Sequence, residues 1–374
     1  MAMKNSGGKP LGLLLALALA ALLLSACAWE PEYAPVAQAE LKIGCVYLGE
    51  PGDTGWSDSH SQAAQQLLAD FGLAESQLLE AWQADQHNIS QILGQLAEAG
   101  CQIIFCTAPE LEPALLAAAA AYPEVRFCCC GGYLALAGEL ANAHDYFPQL
   151  AEARYATGAA AARVSAQGRL GFIAAYPNSE AISGISAFLL GARSVNPQAV
   201  LEVIYTYSLH DAGAEEAAAQ ELIDRGAEVL ANHTLDSGAM GLVAAVNKVA
   251  WLGWNGEAVA NEAMLADLRC DWSAYMAYAL DCLVQGEAIA PDWQGGLAEG
   301  FLTLTPLNPA LAGPEDQALV DEIAAGLAQG QIQVFAGPLY GRNGQLLLSA
   351  GESYQEPCSA PGWNQLPLGV TVLR

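Results

Sequence analysis

The chain has 374 residues, room for two domains of ordinary size, and 53% of them are hydrophobic, enough to fill two cores. Against 13 Lys and Arg stand 40 Asp and Glu, a formal net charge of -27. Such a chain repels phosphate backbones, which excludes nucleic acid as a partner and disfavours a strongly anionic ligand unless an Arg is placed for it.

Residues 1–27 read as a targeting segment outside the fold. Lys4 and Lys9 form a basic start and residues 11–24 an apolar stretch short for a membrane span. Leu24-Ser25-Ala26-Cys27 then resembles a bacterial lipobox, in which Cys27 becomes the lipidated first residue and tethers an exported body to the extracytoplasmic side of the cell membrane. Residues 28–40, with Pro31 and Pro35 and no periodicity, form a linker.

From residue 41, strand-like and helix-like segments alternate. Residues 41–48 predict a strand, 58–71 a helix, 77–82 a strand, 88–99 a helix, 102–106 a strand, 110–121 an Ala-rich helix and 125–130 a strand. A loosely patterned stretch to residue 147 follows. The alternation restarts with helices over 149–164, 179–195, 212–225 and 237–246, interleaved with strands over 169–175, 200–207, 228–231 and 249–254. Beyond residue 268 the pattern shortens: helix 272–285, strand 298–304, helix 315–329, strand 345–348. Short strands separated by helices of 10–15 residues mean βαβ units with right-handed crossovers. The fold class is therefore α/β: two doubly wound parallel-sheet lobes facing a ligand cleft across a hinge. Lobe 1 spans residues 41–147 plus about 271–296, and lobe 2 spans 148–270 plus about 297–374.

The loop over residues 49–60, G-E-P-G-D-T-G-W-S-D-S-H, joins the first strand to the first helix at the edge where open α/β sheets bind ligands. It offers a carboxylate in Asp53, a large ring in Trp56, hydroxyls including Ser57, and an imidazole in His60. Trp254, ending a lobe 2 strand, is placed to close on a flat ligand from the opposite side. Trp272 is as well placed to pack in the hinge as to touch ligand. Glu180 suits either a first-turn acid on a helix dipole or a hydrogen-bond acceptor for a ligand. Asp236 and Asn255 are further polar candidates at strand ends.

Of the ten cysteines, nine remain to be placed besides Cys27. Cys45, Cys101, Cys106 and Cys128-Cys129-Cys130 lie in apolar runs, where thiols behave as small hydrophobes; Cys270 and Cys282 are the pair an oxidising compartment would favour. Mostly free, buried thiols are expected. No Cys/His spacing suits zinc, and there is no P-loop, G-x-S-x-G elbow or G-x-G-x-x-G after the first strand. Glu50, Asp53 and Asp58 make only a thin calcium cluster. The reading is of a binding protein, with no catalytic residues, metal or cofactor.

Several segments together resemble the BMP family of bacterial lipoproteins, type I solute-binding proteins of ABC importers. Residues 52–56 (G-D-T-G-W) look like a D-G-G-W form of the family's first binding loop, with His60 matching the following His. Residues 187–197 (A-F-L-L-G-A-R-S-V-N-P), 295–300 (G-G-L-A-E-G) and 334–344 (V-F-A-G-P-L-Y-G-R-N-G) match further family segments in order. Where the family usually has G-x-D-x-D, this chain reads G-W-N-G-E over 253–257, exchanging a pure acceptor for a donor/acceptor at Asn255. The resemblance implies a purine nucleoside or nucleobase as ligand, an ABC permease and ATPase as partners, and a monomeric body. It raises Glu180 as a ligand contact. Another flat heteroaromatic, such as a flavin or thiamine-like vitamin, and a surface sensor that imports nothing are the alternatives.

Overall fold

The computed structural model describes residues 34–52, 56–132, 140–209, 211–234, 238–255, 259–356 and 362–374. Cys27, Asp53 and Asp236 lie outside them.

In chain order the first half runs β1 (Ile43–Val46), α1 (Trp56–Phe71), β2 (Leu78–Ala81), α2 (Ile89–Glu98), β3 (Ile103–Cys106), α3 (Glu112–Ala121), β4 (Arg126–Cys130) and β5 (Ala143–Pro148). It continues through α4 (Leu150–Val164), β6 (Arg169–Ala174), α5 (Ser179–Val195), β7 (Val200–Tyr205), α6 (Ala212–Asp224), β8 (Val229–His233), α7 (Gly238–Asn247), β9 (Ala250–Trp254) and β10 (Met264–Cys270). Last come α8 (Trp272–Gln285), β11 (Asp292–Gly295), β12 (Leu302–Leu304), α9 (Pro314–Ala328), the short strands β13 (Phe335–Ala336), β14 (Leu339–Tyr340), β15 (Leu346–Leu348) and β16 (Ser353–Tyr354), and β17 (Val370–Val372).

These strands form two large sheets. One has the order β11-β5-β4-β3-β1-β2 and is parallel throughout; the other has the order β12-β10-β9-β8-β6-β7-β17 and is parallel except for β12. Parallel strands covered on both faces read as continuous apolar runs, as Ile-Gly-Cys-Val in β1 and Ile-Ile-Phe-Cys in β3 do, and both are wholly buried. Helices cover the faces through apolar stripes, such as Ile89, Leu93 and Leu96 on α2. The tightest contact is between α4 and α5. A side chain on Gly158 would collide with the Phe188 carbonyl, and one on Gly191 with the Tyr155 carbonyl, so the two helix backbones touch only because both residues are glycine. This accounts physically for the G-A-R-S end of α5.

Of the strands that escape the sequence reading, β5, β10 and β11 share one reason. Where a loose stretch to residue 147 is predicted, β5 forms with Asn142, His144 and Asp145 buried beside or within it. Asp267 and Arg269, paired at 3.1 Å, disguise β10, and the half-buried edge strand β11 reads Asp-Trp-Gln-Gly. Polar residues break the apolar run that betrays the others. The strand expected over 298–304 shrinks to Leu302–Leu304.

Among the described residues the chain passes between the sheets three times: after β5, after β10 and after β11. The crossings are laced together. Gln149 N–H donates to the Gly295 carbonyl at 2.8 Å, Asp271 N–H to Phe301 at 2.8 Å, and Leu302 N–H to Gly296 at 3.0 Å. The carboxyl ends of both sheets converge on this region. Cys130, Tyr146 and Ala153 share one apolar cluster with Trp254, Leu268 and Trp272.

Candidate functional site

On the first sheet, the site is built around the start of α1. Trp56 Nε1–H donates to the Thr107 carbonyl at 2.7 Å, and Thr107 Oγ1 in turn donates to the Val46 carbonyl at 3.0 Å, so the half-buried indole is fixed to the ends of β1 and β3. Ser57 is buried and its Oγ accepts from Gly49 N–H at 2.9 Å, closing the loop on itself. His60 is fully buried. Its ring lies on Trp272 with centroids 3.9 Å apart and 19° between planes, and its Nδ1 meets the Trp56 carbonyl at 2.9 Å. A carbonyl only accepts, so Nδ1 carries the proton and the buried Nε2 is left without a hydrogen-bond partner. Burial pushes the His60 pKa down to about 3, only partly offset by the bond to Trp56, and the ring stays neutral at ordinary pH. Trp272 is 1% exposed, donates from Nε1 to Ser59 Oγ at 3.1 Å, and meets Trp56, Tyr146 and Phe301 edge to face. Its place is the packed floor between the crossings.

The second sheet contributes a charged relay. Arg154, on α4, is 1% exposed, with its guanidinium 5.0 Å from the centroid of Trp254 and 5.6 Å from that of Phe172. Its Nη2 reaches His233 Nδ1 at 3.5 Å, and His233 Nε2 lies 3.0 Å from Glu180 Oε1. Arginine only donates, so Nδ1 accepts and Nε2–H donates to Glu180. Burial lowers the Arg154 pKa to about 10, with Glu180 pulling it back up, so the guanidinium remains charged at neutral pH. Glu180 stands in the first turn of α5, whose N-terminus is capped by Asn178 Oδ1 accepting from Ala181 N–H at 2.9 Å. Its side chain keeps 36% exposure. Trp254 is 5% exposed and nearly parallel to His233, at 11° and 6.2 Å. It backs the relay as a floor. Asn255 adopts φ 51°, accepts at Oδ1 from Cys270 N–H at 2.8 Å and donates its own N–H to Leu268, bolting β9 to β10.

Arg154 and His233 escaped the sequence reading, and so did an aromatic lip. Tyr176 and Tyr207 follow β6 and β7, are 42% and 60% exposed, and meet edge to face at 6.3 Å. The legible signals were a lone Arg in an Ala-rich buried helix and tyrosines just past strand ends. No group of three or more metal-ligating side chains occurs among the described residues. The eight described cysteines are free, Cys270 and Cys282 included, and burial raises the thiol pKa values of the strand cysteines. A hollow of about 600 Å³ lined by Arg169, Arg225 and Lys248 lies at the amino edge of the second sheet, away from this site.

What the arrangement can offer a small molecule is ring faces and a hydrogen-bond acceptor. Aromatic faces come from both sheets, and one partly exposed carboxylate is held in orientation by an imidazole and a buried guanidinium. Nothing in it resembles a nucleophile beside a base. The profile of a family described as ABC transporter substrate-binding protein, PnrA-like, matches residues 40–322. The chain belongs to the Bmp family. It is 31% identical over 320 residues to a purine-binding protein of Brucella abortus, covering 84% of this chain and 89% of that one. A putative ABC transporter glucose-binding protein of Haloferax volcanii is 29% identical over 317 residues, covering 83% and 78%. A solved ABC transporter solute-binding protein from Conexibacter woesei superposes with a TM-score of 0.66 at 21% identity, covering 78% of this chain and 98% of that one, and shares the two-lobed type I fold. This Bmp protein is thus a solute-binding component of an ABC transporter, not an enzyme. Family members work outside the cytoplasm with a permease and ATPase, and no described helix is long and apolar enough to cross a membrane.

Proposed function

We propose that this Bmp protein captures a purine nucleobase or nucleoside and delivers it to its importer. The observation that carries the reading is the Arg154–His233–Glu180 relay, which orients one partly exposed carboxylate over a floor that includes Trp254. A carboxylate accepts N–H donors, which purine edges supply and which a purely apolar ring lacks. Trp56 is the proposed stacking wall from lobe 1, with Tyr176 and Tyr207 as the facing lip. The purine-binding relative supports this choice of ligand. Lobe 1 is taken as residues 41–147 plus about 271–296, and lobe 2 as 148–270 plus about 297–374. Ligand contacts on both lobes would favour the closed arrangement about the laced crossings. Cys27 is proposed as the lipidated residue that holds the body, as a monomer, at the cell membrane.

The test is thermal melting of the body from residue 28 with adenine, hypoxanthine, adenosine, guanosine, riboflavin, thiamine and glucose. A ligand that binds only the folded state stabilises it by about 2.7 kcal/mol at a hundredfold excess over Kd. A midpoint shift with a purine, reduced in Trp56→Ala and Glu180→Gln, is expected. A shift with glucose or a vitamin alone would overturn the ligand. For the anchor, Cys27→Ala should abolish lipid labelling and release the protein from membranes; unchanged labelling would refute it.

A further inference from the structure

Among the described residues, four other than glycine hold a positive φ: Gln83, Tyr207, Lys248 and Asn255. Left-handed backbone crowds the β-carbon of an L-residue, and a bulky side chain suits it least. Three of the four have a local reason to be there. Lys248 follows the last residue of α7, where its N–H donates to the Ala245 carbonyl and Val249 N–H to the Ala244 carbonyl, a helix-ending turn. Asn255 is of a type that tolerates the conformation, and its side chain bolts β9 to β10. Gln83 spends its side chain on Glu50, donating from Nε2 to Oε1 at 2.8 Å. Tyr207 has no such reason: it is aromatic, at φ 57°, with most of its surface in solvent.

The turn at Tyr207 belongs to the architecture. In the sheet orders β4-β3-β1-β2 and β9-β8-β6-β7, β2 and β7 hold the same place, and Gln83 and Tyr207 each stand two residues beyond them. Thr206 N–H donates to the Ala174 carbonyl at 2.9 Å, Tyr207 N–H to the Ala175 carbonyl at 2.8 Å, and Thr206 Oγ1 to the Ser208 carbonyl at 2.9 Å. These bonds fix the turn without using the side chain of residue 207, and glycine or asparagine would fill it with less strain. The turn therefore does not account for a tyrosine.

What the ring gains is position. Ala174 of β6 lies level with Tyr205 of β7, so Tyr207 stands beside the loop that carries Tyr176 and, four residues on, Glu180. The rings of Tyr176 and Tyr207 meet edge to face, an arrangement that leaves ring faces uncovered, and Tyr205 supports Tyr207 at 6.4 Å. We infer that Tyr207 is a specificity-determining residue: its ring, kept at the ligand edge against backbone strain, covers a face of the ligand and favours two fused rings over one. The contribution of a stacked face grows with the ring area it covers. The inference rests on the reading of that edge as the site of a flat ligand.

The test is isothermal titration of wild type, Tyr207→Asn, Tyr207→Ala and Tyr207→Phe with adenine, hypoxanthine and riboflavin, with uracil and cytosine measured by displacement. Tyr207→Asn and Tyr207→Ala should both weaken purine binding roughly threefold to tenfold and pyrimidine binding less, while Tyr207→Phe keeps both. Melting without ligand should separate the two truncations. Asparagine relieves the strained φ and alanine does not, so Tyr207→Asn should melt roughly 1–3 °C above Tyr207→Ala. Unchanged purine affinity in both truncations would overturn the inference and leave the purine reading standing. So would a loss confined to Tyr207→Ala, which would tie affinity to stability and not to the ring. If riboflavin binds and purines do not, the purine reading falls, and the same loss of riboflavin affinity in both truncations would still uphold the role of Tyr207.

Discussion

The two strand-end edges have the same topology and opposite uses of their polar residues. On the lobe 1 edge, Ser57, Ser59 and His60 turn inward, each bonded to backbone or to a tryptophan, and the ring pile of Trp56, His60 and Trp272 is part of the core. On the lobe 2 edge, burial falls instead on a guanidinium, which holds an imidazole, which holds a carboxylate at the surface. In the proposed site, lobe 1 would supply a rigid wall and lobe 2 an oriented charge. A loop rich in polar residues is no better a guide to ligand contact than a single buried Arg, because polar atoms first satisfy the backbone around them.

The sharpest way to break the comparison is to cut into each edge in turn. Trp272→Ala removes the partner of His60, the bond to Ser59 and the contacts to Tyr146 and Phe301, and should destabilise the fold by about 3–5 kcal/mol in denaturant unfolding. Glu180→Gln should do the reverse, moving stability little and weakening ligand binding by roughly tenfold to a hundredfold, about 1.4–2.8 kcal/mol. If Glu180→Gln unfolds the protein while leaving affinity intact, the division of labour is wrong.

A smaller effect separates the edges by pH. His60 has a folded pKa of about 3 against an ordinary 6.5, so between those values the unfolded chain binds the proton and the folded one does not. Stability should therefore be lost as pH falls below 6.5 towards 3. His60→Phe, which keeps a ring on Trp272, should flatten that slope. Burial also lowers the His144 pKa, to about 4, so part of the slope should remain. An unchanged acid limb in His60→Phe would mean that the imidazole is not buried neutral.

The smallest expected effect concerns the crossings. Glu152 Oε2 and Glu299 Oε2 both face Gly296, and burial followed by the Glu299 charge raises the Glu152 pKa. A raised carboxylate binds a proton more readily folded than unfolded, so its contribution fades as pH rises above 4.5. Glu299→Gln removes one cause and should raise the neutral-pH melting midpoint by no more than about 1–2 °C. A fall in the midpoint would instead show Glu299 to be useful through its bond to Gly296 N–H.

Much of the architecture was legible. The apolar runs of β1, β3 and β4 and the Gly191 helix end leave little choice of fold, because continuous burial and a glycine-only contact each leave a plain mark in sequence. Half of the proposed site was legible. Trp56, Glu180 and Trp254 stand out as rings or acids beside strand ends. Arg154 did not, because in an Ala-rich helix periodicity cannot say which face points at the ligand edge. His233 was hidden by its strand's apparent end at residue 231, the Asn-His that follows being too polar to read as buried sheet. β5 and β10 were missed for the same cause, since buried Asp145 and Asp267 interrupt the apolar run that marks a buried strand.

The most direct measurement is isothermal titration of the body from residue 28 with adenine, hypoxanthine, adenosine and guanosine, repeated on Glu180→Gln and Trp56→Ala. Saturable binding of at least one purine, weakened at least tenfold by each substitution while both variants melt cooperatively, is the predicted result. Purine binding of equal strength in all three proteins, or none in the wild type, would contradict an oriented lobe 2 carboxylate facing a lobe 1 aromatic wall.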